Sequence, residues 1–192
     1  MYLASGSPRR RQILNELGIE FLHKSVNVDE KRENNESAKM MATRLAIKKA
    51  VSVKNEIANN FIILAADTVV SQQALIFGKP TSKNHAIEIL SQLSGKEHQV
   101  FTGIAIRHKD KIHSSISETN IYFRKITTEE INYYWDTGEC LDKAGAYAIQ
   151  GKGAMFVERI DGSYSGAVGL PIFECINLLA LLGWKYFSKN SG

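Results

Sequence analysis

Asp67 interrupts the apolar run FIILAADTVV. A lone carboxylate in such a run is expensive to bury without a cation or a metal beside it, so its type and place point to metal or phosphate chemistry. The alternative is a carboxylate that caps the adjacent turn. Lys49 is a second anomaly. On a helical wheel of about 100° per residue, Met41, Ala42, Leu45, Ala46, Ala50 and Val53 share one half, and Lys49 lies near the centre of that stripe. A lysine there either snorkels to the rim or meets an anion in a cleft.

The opening stretch LASGSPRRRQIL supplies the hydroxyls of Ser5 and Ser7, the amides of a helix start, and the guanidinium forks of Arg9, Arg10 and Arg11. Helix starts favour acids, so three cations there suggest that an anion is expected. Phosphate suits such forks. A helical start turns one or two of the three toward a shared ligand: Arg10 is expected to face it, Arg9 to assist and Arg11 to be solvated. The stretch lacks the GxxxxGK[ST] spacing of a P-loop. Lys79, between glycine and proline in GKP, sits in a stiff turn that could present an ammonium to a phosphate. Glu30 and Asp29, in VNVDEKRE, are acids that could join Asp67 around a divalent ion. Neither HExxH nor GxSxG occurs, so zinc-peptidase and serine-triad chemistry are unsupported.

The elements that must position these residues follow from periodicity and punctuation. Met1 to Ser5 reads as a strand, with Ser7 and Pro8 as N-cap and N1 of a helix that Gly18 stops. Residues 19–26 read as another strand, 27–36 as a loop, and Ser37 to Ile57 as one long helix. FIILAADTVV has the pattern of a strand buried on both faces, with Asp67 near its C-terminal end, where α/β proteins gather ligands. A hairpin through SQQ returns it along ALIFGKP. A capped helix to Gly95 and two long strands joined across HKDK come next. Thr127 and Glu130 form a capping box for the helix through Trp135. A glycine-rich stretch of strands and turns follows, and Pro171 opens a last helix that Gly183 ends. The pattern is mixed α/β with a twisted, partly antiparallel sheet.

The 192 residues suit about one domain, and 44% hydrophobic with 23% charged residues exclude disorder and coiled coil. Twenty-four basic against 20 acidic residues leave +4, too mild for a dedicated nucleic-acid binder. No stretch has the length of a membrane span or a signal peptide. Cys140 and Cys175 form no CxxC pair, which suits a reducing cytoplasm.

LASGSPRRRQIL, AADTVV, GKP, HQVFTGIAI, LDKAGAYAIQG and GLPI occur in this order over nearly the whole chain. Together they resemble the Maf family of nucleotide pyrophosphatases. The resemblance implies a single domain over 1–192, an α/β fold with a twisted mixed sheet, flanking helices and two lobes around a central cleft, often dimeric. It implies hydrolysis of nucleoside triphosphates to monophosphate and diphosphate with a divalent cation, Mg²⁺ or Mn²⁺. The family's catalytic acid matches Asp67, and its specificity positions match Arg10, Thr68 and Gln150. Ser5, Glu30, Lys49 and Lys79 match further cleft positions that handle phosphate and metal, with Asp67 and Glu30 as the metal pair.

SPRR, ADT and AYxIQG look like the subgroup acting on dTTP and UTP, with modified pyrimidine nucleotides as a further candidate class. Ala66 and Ala148 stand where the family usually has glycine. The competing expectations are a non-catalytic nucleotide or nucleic-acid binding regulator of cell division, and a nucleotidyltransferase.

Overall fold

A computed structural model describes residues 1–186. Its seven strands are β1 (Tyr2–Leu3), β2 (Leu22–His23), β3 (Ile63–Gln72), β4 (Leu75–Phe77), β5 (Glu97–His108), β6 (Lys111–Phe123) and β7 (Val157–Asp161). They form one mixed sheet in the order β2-β1-β3-β5-β6-β7, with β4 also paired to β3. The first three strands in that order run parallel, and every other pairing is antiparallel. The helices are α1 (Pro8–Glu16), α2 (Ala38–Val51), α3 (Asn55–Asn60), α4 (Lys83–Leu93), α5 (Thr128–Asp136), α6 (Tyr164–Val168) and α7 (Ile172–Leu181). No helix among the described residues is long and apolar enough to cross a membrane.

Side-chain alternation along β3 sorts its neighbours. Ile63 and Ala65 pack with Ala46 and Ala50 of α2 on one face. Leu64 and Ala66 pack on the other, with Ile13 and Leu14 of α1 and Leu178 of α7. At the far ends of β5 and β6, α4 and α5 cover a separate cluster around Leu90, Leu93, Tyr134 and Phe156. The apolar core is thus divided into two lobes that share the long central strands.

Three expectations from sequence need correction. β2 is only two residues long and exposed, paired to nothing but β1. The helix expected over 37–57 is two helices, α2 and α3, although no Gly or Pro divides them. The break is stabilised from outside: buried Arg107 donates to the carbonyls of Val51 (3.1 Å) and Val53 (2.9 Å) and to the side-chain oxygen of Asn55 (2.5 Å). The Ser52 hydroxyl donates to the Lys49 carbonyl at 2.8 Å. Helix-terminal acceptors are satisfied there without the next turn. Finally, Asp67 is mid-strand rather than near a strand end, opposite Gly103 of β5.

Candidate active site

One edge of β3 is fully paired to β5 from Ile63 to Ser71. The other edge is shared: β1 takes Ile63 and Leu64, and β4 takes Val70 to Gln72. Between them Ala65 to Val69 meet no strand on that side. Asp67 and Thr68 lie in this gap, which opens into a cleft of about 710 Å³ between the two lobes. That volume is within the usual range for small-molecule sites. Arg9, Arg10, Lys49, Lys79 and Lys143 line it against only three carboxylates, Glu30, Asp67 and Asp142. The excess of cations favours an anionic ligand.

Because Asp67 and Thr68 are consecutive in a strand, they serve opposite faces of the sheet. Asp67 points to the α2 face, where it is 8% exposed and bonded to the ammonium of Lys49. The same ammonium lies 2.6 Å from Oε1 of Glu30. Lys49 therefore meets anions and does not snorkel, and Asp67 has a cation partner rather than a turn to cap. Burial works against ionisation of Glu30, but the hydrogen bond and charge of Lys49, with the charges of Lys79 and Arg10, outweigh it. The carboxyl is held below its ordinary value.

On the opposite face Arg10 reaches up from α1. Its Nε donates to the carbonyl of Gly169 at 2.7 Å, one terminal nitrogen to Ser5 Oγ at 3.0 Å, and the other to Thr68 Oγ1 at 3.3 Å. Thr68 Oγ1 is 2.9 Å from Thr102 Oγ1, and Thr102 donates to the carbonyl of Gly166 at 2.8 Å. A hydroxyl has one proton to give. All three contacts are satisfied when Arg10 donates to Thr68, Thr68 to Thr102, and Thr102 to Gly166. Thr68 then faces the cleft as an acceptor.

Ser5 is buried; its Oγ also accepts from the Ser7 amide at 3.2 Å. Ser7 occupies the N-cap position, but its hydroxyl caps nothing. Arg9 lines the cleft with its Nε buried and unpartnered, near Asp142. Lys79 and Gln150 are exposed on the rim. Arg11 is absent from the lining and meets His23 at 2.9 Å instead. Ten residues singled out by the sequence, Ser5, Ser7, Arg9, Arg10, Glu30, Lys49, Asp67, Thr68, Lys79 and Gln150, line this one cleft; Asp29, expected as a further acid beside Asp67, does not, and its Oδ1 accepts from the Lys31 amide at 3.2 Å instead. Sequence reasoning missed Ser25, Asn27, Asp142 and Lys143, which also line it. The Asp142-Lys143 ion pair lies in an irregular segment with no period to mark it.

The family profile described as Maf-like protein matches residues 1–182. The chain belongs to the Maf family. A relative from Acinetobacter baylyi, named dTTP/UTP pyrophosphatase, is 46% identical over 177 residues, covering 92% of this chain and 96% of its own. Proteins with the same name are 43% identical in Hydrogenovibrio crunogenus, over 93% of this chain and 94% of theirs, and 42% identical in Photorhabdus laumondii, over 100% and 96%.

Both departures from the usual Maf pattern are accommodated. Ala66 is fully buried, its methyl in the apolar cluster beneath α1. Ala148 is buried, and its amide donates to the Tyr134 hydroxyl at 2.9 Å. The donor set also fits the cation that Maf membership implies. Glu30 and Asp67 converge on one point, marked by the Lys49 ammonium. Two carboxylates completed by substrate phosphates are a common way to hold Mg²⁺. Among the described residues no group of three His, Cys, Asp or Glu side chains could hold a metal by itself, so substrate oxygens would have to complete the shell.

Proposed function

We infer that this chain is a nucleoside triphosphate pyrophosphatase that hydrolyses dTTP and UTP to the monophosphate and diphosphate, a house-cleaning step on the nucleotide pool. The observation that carries this reading is the convergence of Asp67 and Glu30 on one cation position inside a cleft rimmed by arginines and lysines. The names of the relatives supply the substrate class.

Mg²⁺ or Mn²⁺ held by Asp67 and Glu30 would polarise the triphosphate and acidify the attacking water. Asp67 would accept that water's proton. As the water oxygen bonds to the α-phosphorus, the bond from that phosphorus to the bridging oxygen breaks and diphosphate leaves. Arg9, Arg10, Lys49 and Lys79, with the hydroxyls of Ser5 and Ser7 and the amides at the start of α1, would meet the charge on the leaving group. Arg10 commits three of its five N–H groups to the protein, which leaves two for a ligand.

Thr68 as an acceptor complements the N3–H of uracil and thymine and mismatches cytosine, whose N3 has no proton. The Gln150 amide can donate to O4. The free, buried thiols of Cys140 and Cys175 suit a cytoplasmic location. Homodimerisation is supported by the family resemblance, and sedimentation of the full chain tests it.

The experiment is a nucleotide panel with Mg²⁺ or Mn²⁺, with diphosphate quantified in the presence and absence of an acceptor. Diphosphate from dTTP and UTP without acceptor is expected. No release from either would overturn the reading, acceptor-dependent release would mark a nucleotidyltransferase, and salt-sensitive polymer binding without release would mark the regulator.

A further inference from the structure

Glu139 and Tyr134 lie outside the cleft lining, yet both are tied to the turn that carries Gln150. One carboxylate oxygen of Glu139 accepts from the Tyr134 hydroxyl at 2.8 Å and from the Gly153 amide at 3.1 Å. The other accepts from the Lys152 amide at 2.9 Å. The Tyr134 hydroxyl in turn accepts from the Ala148 amide at 2.9 Å. The two side chains thus hold the turn at both ends, at 148 and at 152–153, and Gln150 projects from between them to the rim of the cleft.

The contact is tight as well as polar. A Cβ at Gly151 would sit 2.3 Å from the Glu139 carboxylate, and one at Gly153 would sit 2.9 Å from the Tyr134 hydroxyl. Burial disfavours the charge on Glu139, but the two amides, the Tyr134 hydroxyl and Lys143 outweigh it and keep the carboxyl below its ordinary value. Four hydrogen bonds therefore fix one short backbone turn, in a segment with no strand pairing. Gln150 is exposed. Only its backbone can give it a defined position.

We propose that Glu139, acting with Tyr134, is a positioning residue for base selection: it fixes the 148–153 turn so that the Gln150 amide meets the nucleobase in one orientation. The inference rests on the nucleotide reading above. Glu139 touches neither phosphate nor metal positions, so its loss should be felt in binding and discrimination rather than in the chemical step.

The test compares kcat and KM for dTTP, UTP and CTP in the parent, Glu139→Ala, Glu139→Gln, Tyr134→Phe, Gln150→Ala and the Glu139→Ala/Gln150→Ala double variant. Glu139→Ala should raise KM for dTTP and UTP about 10-fold, shrink the preference over CTP, and leave kcat within about 3-fold. Glu139→Gln keeps one oxygen for Tyr134 and Gly153 and should restore most of the preference. Tyr134→Phe keeps the ring edge-on to Phe156 at 5.0 Å, so it should fold and shift the preference in the same direction. In the Gln150→Ala background, Glu139→Ala should change the preference no further.

An unchanged dTTP-to-CTP preference in both Glu139→Ala and Tyr134→Phe overturns the proposal, as does an equal fall in kcat for all three nucleotides. If the parent releases no diphosphate from dTTP or UTP, the functional reading fails separately. Amide hydrogen exchange then decides the clamp: exchange should rise at 148–153 in Glu139→Ala, and unchanged exchange there overturns it.

Discussion

Asp67 and Thr68 are adjacent in the chain and lie on opposite faces of β3, one bonded to Lys49 of α2 and the other to Arg10 of α1. Two helices on opposite sides of the sheet therefore deliver their cations to one cleft. This is possible because β1 and β4 leave the strand edge open between them. On the function proposed above, the arrangement would separate reaction from recognition along a single peptide bond.

Substitutions at the two positions should then fail differently. Asp67→Asn should lower kcat at least about 100-fold for every nucleotide, because it removes the proposed proton acceptor and metal ligand. Thr68→Ala should leave kcat nearly intact and weaken the preference for dTTP over CTP, because the proposed acceptor for N3–H is lost while Arg10 keeps its bonds to Gly169 and Ser5. Steady-state kinetics on both nucleotides check this, and an Asp67→Asn enzyme at the parent rate would contradict the role given to Asp67.

Lys49 should oppose the metal proposed to bind at Asp67 and Glu30. With its side chain only 11% exposed, its ammonium neutralises the two carboxylates where the cation would sit. Lys49→Met leaves a buried Asp67 without its partner, which should cost about 3 kcal/mol in metal-free buffer. Mn²⁺ should restore that loss and bind about 10-fold tighter than to the parent, equivalent to roughly 1.4 kcal/mol. Turnover should nevertheless fall, since a cation facing the triphosphate is gone. Thermal melts and Mn²⁺ titrations on the same protein separate the effects; Mn²⁺ affinity equal to the parent's would contradict the competition.

The parts of this site that lie in periodic elements were legible in the sequence. Asp67 stood out because the run around it is apolar, and Lys49 because the helical wheel places it among buried alanines and leucines. The capping box of Thr127 and Glu130 marked a helix start that the structure keeps. What escaped depends on distant partners. The end of α2 is set by Arg107, which lies 56 residues beyond Val51. The open edge of β3 follows from where β1 and β4 stop, and no local pattern encodes that. Asp142, Lys143 and the clamp by Glu139 belong to a glycine-rich segment whose shape comes from side-chain hydrogen bonds rather than from a repeat.

Gly103 sets how closely α2 can approach the sheet. A Cβ there would lie 2.2 Å from the Ala42 carbonyl oxygen, a backbone atom that cannot rotate away. Gly103→Ala should push α2 outward and cost about 2 to 3 kcal/mol, a fall in melting temperature of roughly 4 to 12 °C at about 2 to 4 °C per kcal/mol. Gly103 is opposite Asp67 in the register, so the same displacement should draw Lys49 off the carboxylate and reduce activity beyond the loss of folded protein. Calorimetry and activity measured well below the transition check the two effects, and an unchanged melting temperature would show that α2 has slack.

His98 should make stability depend on pH. It is fully buried between Phe123 and Tyr147, with its Nε2 2.8 Å from the Tyr147 hydroxyl and its Nδ1 without a partner. Burial pushes its pKa down to about 3 from an ordinary 6.5. Between these values the unfolded chain binds a proton at this site that the folded chain refuses. Stability from the neutral imidazole is therefore complete above the ordinary value and is lost as pH falls, at up to about 1.4 kcal/mol per pH unit. His98→Gln keeps a polar partner for Tyr147 but does not titrate. Urea unfolding of the parent should lose stability more steeply than that of the variant between pH 6 and pH 4, whatever their relative stability at pH 7. Carboxylates common to both proteins cancel in that difference, so parallel curves would mean that His98 is protonated in the fold or reached by water.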